Sequence, residues 1–179
     1  RADAVRNYER VVAAASEVLT EKGIEAAIPE IAARAGVGKG TVYRCFPTKE
    51  HLVGAVVAER LREFTRLAEE AVRCPDPWRA FCDLLAALAE RQSADHCLVD
   101  GMATASARPE VAAEKARMHD ALERLIERAQ CQGAMRHDVT TEDVRVLFAG
   151  IARVLRADGN GDPAAWRRYA GLVADALRV

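Results

Sequence analysis

Acidic residues are absent from one stretch of this 179-residue chain: none lies between Ile31 and Lys49, although Asp and Glu together number 27. Arg34, Lys39, Arg44 and Lys49 recur there at every fifth position, so four basic side chains stand without an acid in a chain of net charge -1. Such a block is either a solvated helix face or a surface that contacts phosphates. Long apolar runs are also missing. None approaches the roughly eighteen residues that cross a bilayer, and no charged-then-apolar leader follows Arg1, so a soluble protein with no membrane partner is expected. Paired cysteines are lacking: Cys45, Cys74, Cys82, Cys97 and Cys131 are odd in number and include no CxxC. That argues against a disulfide framework or a zinc knuckle and points to a reducing cytoplasm. Catalytic signatures are lacking as well. His51, His96, His119 and His137 are scattered, and neither HExxH nor GxSxG occurs, so neither an enzyme nor a cofactor is expected.

What is present points to helix. Alanine contributes 36 residues, apolar residues make up 50% and charged ones 30%, the balance of an ordered globular protein. Gly23, Gly36, Gly133 and the Gly159-Asn160-Gly161 cluster stand where helices would stop, and Pro29, Pro47, Pro77, Pro109 and Pro163 stand at or just before starts. Between these breakers the apolar period is near 3.6. Tyr8, Val11, Val12, Ala15 and Leu19 line a first helix over about residues 4–22, and Val53, Val57, Phe64 and Leu67 line a long one from Lys49 to about Arg73. Further stripes are Trp78-Phe81-Leu85-Leu88, Met118-Leu122-Leu125-Ala129, Val144-Leu147-Phe148-Ile151-Leu155 and Trp166-Tyr169-Val173-Leu177. No sustained alternation marks a strand, so the expected fold is all-α, with about nine helices and short loops. Asp95 to Ala107, with Gly101 and small residues, reads as a short or irregular helix. Composition shifts at Lys49, which divides the chain into a small basic module, residues 1–48, and a larger helical body, residues 49–179.

Residues 28–46 meet the steric demands of a helix-turn-helix. Two short helices crossing around a tight turn need a small residue at the contact, a glycine in the turn and apolar residues locking both sides. Ala32, Gly36 and the group Ile31, Ala35, Val37 and Val42 supply them. The second helix is expected from about Lys39 to Phe46, with Gly38 and Lys39 at its amino end, where free N-H groups and the positive dipole end suit a phosphate. Lys39, Thr41, Tyr43 and Arg44 are its polar face, and Val42 and Phe46 turn inward. A helical hairpin inside an unrelated core is the competing reading; the joint pattern is more restrictive than a Gly-Val turn alone.

These residues resemble a known family. EIAARAGVGKGTVYRCFPTKEHL, from Glu30 to Leu52, is similar to the DNA-binding domain of TetR/AcrR-family transcriptional regulators, and the amphipathic helix from Tyr8 to Lys22 is similar to that family's first helix. GAMRHDVTTEDV, from Gly133 to Val144, resembles the loop and helix start before the family's penultimate helix. The resemblance implies DNA binding through Gly38, Lys39, Gly40, Thr41, Tyr43 and Arg44, with Lys49 as a phosphate clamp. Physically, Gly40 permits close backbone approach, Thr41 can hydrogen-bond or touch a thymine methyl, and Lys39 suits guanine or phosphate. Thr48 is a natural cap for the helix that projects Lys49. Two positions depart from the pattern: Ala27, Ile28 and Pro29 replace a Ser or Thr near the second helix's start, and Cys45 stands where His is common. Cys45 is then either an inert small hydrophobe or a redox switch.

For the body, the resemblance implies a homodimer on an inverted-repeat operator and a cavity for a small-molecule effector, hence a repressor released by a hydrophobic ligand. The two C-terminal helices, Val144 to Leu155 and Trp166 to Leu177, would form a four-helix interface in two copies, or they simply close the monomer core. Ligand-contact candidates are Phe64, Trp78, Phe81, His96, Met102, Met118, His119 and Leu122, apolar residues with a few polar groups, most of which are expected to be plain core. A metal or redox sensor built from His96, Cys97 and His119 is a third class, with no i,i+4 ligand pair in its favour. A helical binding protein that has lost DNA binding is a fourth, and the acid-free basic stretch speaks against it.

Overall fold

The computed structural model describes residues 2–94, 101, 104–159 and 161–179. Among these residues the chain forms eight helices: α1 (Ala2–Lys22), α2 (Ile28–Ala35), α3 (Lys39–Cys45), α4 (Lys49–Val72), α5 (Pro77–Ala94), α6 (Pro109–Cys131), α7 (Thr141–Ala157) and α8 (Pro163–Leu177). The all-α expectation holds, and the starts at Lys39, Lys49, Pro77, Pro109 and Pro163 are those the breakers mark. The segment expected as a weak ninth helix, Asp95 to Ala107, lies mostly outside the described residues. No described helix is long and apolar enough to cross a membrane.

Two compact units can be distinguished, Arg1–Arg60 with Asp95–Ala113, and Leu61–Ala94 with Glu114–Val179. In the first, Val11, Ala15 and Leu19 of α1 are fully buried together with Ile31, Val42, Leu52, Val56 and Val57. Their spacing of three and four residues puts each set on one side of its helix. α2 begins with Pro29 in its first turn and ends at Gly36, whose φ of 65° is the left-handed conformation that costs glycine least. That residue stops α2 and lets the chain turn into α3 within three residues. At the far end of α3, Phe46 leaves the helix with φ -134° and is buried, its ring centroid 4.8 Å from that of Tyr8.

In the second unit, α5 and α8 pack along each other around Phe81, Leu84, Leu85 and Ala89 on one side and Trp166, Ala170, Val173 and Leu177 on the other. Gly133, with φ 69°, ends α6, and the chain then reaches its own carboxyl end. The N-H of Arg136 donates to the Leu177 carbonyl at 3.1 Å, and that of Val179 donates to Ala134 at 3.2 Å. α7 starts on a capping box in which Thr140 accepts from the Asp143 N-H and the Asp143 carboxylate accepts from the Thr140 N-H. The Thr140 hydroxyl, and then its N-H, hold the Asp143 carboxyl below its ordinary pKa.

The apolar stripes differ from expectation at two positions, Tyr8 of α1, which stays 44% exposed although its ring meets Phe46, and Leu147 of α7. On α7 the buried positions are Thr141, Val144, Ala152 and Leu155, while Leu147 is exposed, along with Val146 and Val154. Helical spacing from Val144 to Leu155 fixes the buried arc, and Leu147 lies at its margin. On α8, Trp166, Val173 and Leu177 are buried as expected, and Leu172, which was in no stripe, is 49% exposed.

Candidate nucleic-acid interface

Helix α3 is held by little and shows much. Val42 is the one buried residue among its seven; Lys39, Gly40, Tyr43 and Arg44 are exposed and Thr41 is half-buried. Gly38 is the N-cap and provides no side-chain cap, its carbonyl accepting from the Thr41 N-H at 2.9 Å. A Cβ built on Gly38 or on Gly40 would meet nothing within 4 Å. The protein's own packing therefore does not require glycine at either position, and the backbone there lies open to a partner. Among the described residues, Lys39, Arg44 and Lys49 enter no ion pair or side-chain hydrogen bond, which leaves three positive charges uncommitted.

Lys49 occupies the first position of α4. Thr48 precedes it, its Oγ1 accepting from the His51 N-H at 3.4 Å and lying 2.9 Å from His51 Nδ1. The expected cap is thus in place, so the lysine starts from an anchored turn. The Thr48 hydroxyl is also the leading cause of a lowered pKa at Glu50, which stays ionised beside Lys49.

The fourth basic residue of the acid-free stretch behaves otherwise. Arg34 Nη1 donates to Glu17 Oε2 at 3.0 Å, and Nη2 donates to Glu21 Oε2 at 3.0 Å. Those hydrogen bonds, from Glu21 first, raise the guanidinium's pKa, and Glu21 is lowered in return. The local run of four charges therefore presents three, because α1 lays two carboxylates against α2. Spacing within residues 31–49 contains no trace of this, since the acids lie about fifteen residues upstream. At the start of α2, Ala27 makes no side-chain cap, as its composition demands, but its N-H donates to Glu30 Oε2 at 3.2 Å, so half of the missing cap is supplied from inside the helix.

The expected ligand contacts that fall among the described residues belong to the second unit. Phe64 and Phe81 are buried, the latter completely, and Met118 and Leu122 are half-buried. Trp78 is half-buried at the start of α5, stacked against Phe81 with centroids 5.9 Å apart, and the Arg178 guanidinium lies 5.7 Å from its ring centroid. His119 is exposed, with Nε2 3.2 Å from Thr141 Oγ1. His96 and Met102 lie outside the described residues, as does Cys97. Among the described residues, no group of three His, Cys, Asp or Glu side chains is placed to hold a metal ion. Cys45 is half-buried on α3.

Comparison with known sequences and structures bears on this arrangement. Residues 11–56 match the family model described as bacterial regulatory proteins, tetR family, and residues 76–179 match that of the SbtR-like transcriptional regulator C-terminal domain. The uncharacterized HTH-type transcriptional regulator YvdT of Bacillus subtilis is 42% identical over 59 residues, 32% of this chain and 30% of that protein's own length. A TetR transcription regulatory protein from Mycobacterium vanbaalenii, solved as a crystal structure, is 33% identical, with a TM-score of 0.64 over 100% of this chain and 99% of that one. The Bacillus subtilis regulator FadR, solved in complex with stearoyl-CoA, shares the fold at 16% identity, with a TM-score of 0.71 over 95% of this chain and 99% of that one.

Proposed function

The chain belongs to the TetR family of bacterial transcriptional regulators, and on that premise we propose that it is a homodimeric repressor that binds an inverted-repeat operator and releases it when a small hydrophobic ligand occupies the body. The observation that carries the DNA half is the face of α3. Lys39, Thr41, Tyr43 and Arg44 project from a helix that buries only Val42, beside open backbone at Gly38 and Gly40 and the uncommitted Lys49. In this reading residues 1–48 are the DNA-binding domain and residues 49–179 the ligand-binding and dimerisation domain. The amino end of α3 enters the major groove, Lys39 and Thr41 reach base edges, and Arg44 and Lys49 hold phosphates on either side. It is a binding protein of the cytoplasm and not an enzyme.

Dimerisation through α7 and α8 is supported by apolar side chains that the monomer does not bury: Val146, Leu147 and Val154 on the first and Leu172 on the second. Trp166, Val173 and Leu177 close the core of each copy instead. Binding an inverted repeat requires the two α3 helices of a pair to reach successive major grooves about 34 Å apart. For the ligand, Phe64, Trp78, Phe81, Met118, His119 and Leu122, with His96 and Met102, remain the proposed contacts. A related fold holding an acyl-CoA supports an extended apolar effector. α4 carries Lys49 at its start and Phe64 in its second half, so one helix serves both sites. By linkage, a ligand that favours the non-binding conformer weakens DNA by its differential affinity, commonly 1–3 kcal/mol as a rough range, and DNA weakens the ligand equally.

The test is selection from random duplex DNA with the folded dimer. Enrichment of an inverted repeat with half-sites one helical turn apart is the expected outcome. A folded dimer that enriches no sequence overturns the reading.

A further inference from the structure

The helix-turn-helix is completed by a side chain that is not part of it. The last carbonyls of a helix have no partner within it and must find donors elsewhere. At the end of α2, the Gly36 N-H donates to Ala33 at 3.1 Å and the Val37 N-H to Ala32 at 3.0 Å, so the turn satisfies those two carbonyls itself. The Ala35 and Gly36 carbonyls are taken by Arg10 of α1, whose Nη2 donates to Ala35 at 2.7 Å and lies 3.4 Å from Gly36 O. A Cβ built on Gly36 would stand 2.9 Å from the same nitrogen. The guanidinium thus lies over the glycine, in space that any side chain at position 36 would contest. A cation at a helix carboxyl end is also favoured by the dipole.

We propose that Arg10 is a positioning residue for DNA recognition: by binding the two carbonyls of the turn from α1, it sets the angle at which α3 is presented. Three features make the turn decisive for that angle. Only Gly36, Val37 and Gly38 separate the two helices, α3 anchors itself in the core through Val42 alone, and the other end of α3 rests on α1 through Phe46 and Tyr8. α1 therefore grips the motif at both ends, by a charged contact at the turn and a ring contact past Cys45. Nothing in the spacing of α1 marks Arg10, 25 residues before its partner, for this contact.

The inference rests on the DNA-binding reading, and the measurements separate the two. Wild-type protein, Arg10→Ala and Arg10→Lys are titrated with the operator enriched by the wild type and with a scrambled duplex of equal length, across a salt series. A positioning role predicts that Arg10→Ala lowers operator affinity about tenfold and leaves scrambled-duplex affinity and the salt slope unchanged. Arg10→Lys, which retains one donor group for the same carbonyls, recovers part of the loss. Amide exchange at Gly36 and Val37 rises in Arg10→Ala while exchange within α4 does not. Equal losses on both duplexes with a slope reduced by about one ion would make Arg10 a phosphate contact and overturn the proposal. Unchanged operator affinity in a variant of a wild type that does bind would overturn it while leaving the DNA reading intact. If Arg10→Ala does not fold, Arg10→Met, which keeps the aliphatic stem and has no donor for the two carbonyls, carries the same comparison: operator affinity equal to wild type with unchanged exchange at Gly36 overturns the role.

Discussion

Helix α3 buries Val42 and leaves its polar side chains outside, whereas α8 buries Trp166, Ala170, Val173, Ala174 and Leu177. The difference shows how the two parts of the chain divide their residues between folding and partner contact. α3 contributes little apolar area to its own retention, so its place depends on neighbours: α1 through Arg10 and Tyr8, and α2 through a three-residue turn. α8 is held by its own packing against α5. A helix of the first kind has its chemistry free for a ligand. One of the second kind can offer a partner only what its core does not consume, here Leu172 beside Val146, Leu147 and Val154 of α7.

The contrast can be broken most forcefully in the body. Phe81 is fully buried against Trp78, and Phe81→Ala should cost roughly 3–5 kcal/mol of unfolding free energy, read from urea denaturation. A cost below about 1 kcal/mol would mean that the aromatic cluster is loosely packed and that the body, like α3, is held from elsewhere. In the N-terminal unit the corresponding weak point is the turn. Gly36→Ala forces a Cβ onto φ 65° and against Arg10, and should destabilise by about 1–2 kcal/mol while lowering operator affinity.

Gly40→Ala should act with the opposite sign on stability. Its Cβ enters open space in the first turn of α3, so the unfolding free energy should rise by about 0.4–1 kcal/mol, whereas operator binding should weaken because the added methyl stands between backbone and DNA. Parallel rises in stability and affinity would show that no partner approaches this backbone. A smaller effect separates two cations of the same basic stretch. Lys49→Ala should flatten the salt dependence of DNA binding by about one ion, while Arg34→Ala, already paired with Glu17 and Glu21, should leave the slope nearly unchanged. An equal reduction of the slope in both variants would put Arg34 on the phosphate surface after all.

The smallest expected effect concerns pH. The Asp143 carboxyl at the start of α7 has a folded-state pKa below its unfolded one, so its contribution is present above the unfolded value and is lost as pH falls through the folded value. The thermal midpoint of the wild type should therefore exceed that of Asp143→Asn at neutral pH, and the gap should close as the solution is acidified past the ordinary carboxylate range. A gap that persists at low pH would assign the stabilisation to the amide-compatible part of the capping box and not to the charge.

Much of this molecule is written locally. Pro77, Pro109 and Pro163 start helices because their ring fixes φ and their missing N-H is not needed there, and Gly36 and Gly133 end them because glycine reaches positive φ without strain. Such signals depend on a residue and its immediate neighbours, and so do the helix-turn-helix, the exposed face of α3 and the Thr48 cap. They are readable from the sequence. The side-chain partnerships formed across distance are not. That Arg34 spends its charge on Glu17 and Glu21, that Arg10 reaches the carbonyls of Ala35 and Gly36, and that Arg178 lies over Trp78 depend on which helix faces come together. The same holds for Leu147, which the 3.6 period placed on the inward stripe of α7 and which stands outside. A periodic pattern defines an apolar arc only to within about one residue's rotation, and the packing partner decides which edge of that arc is covered. Residue type and spacing determined the helices and the chemistry of the exposed helix; tertiary packing decided which charges remain available and which apolar side chains stay exposed.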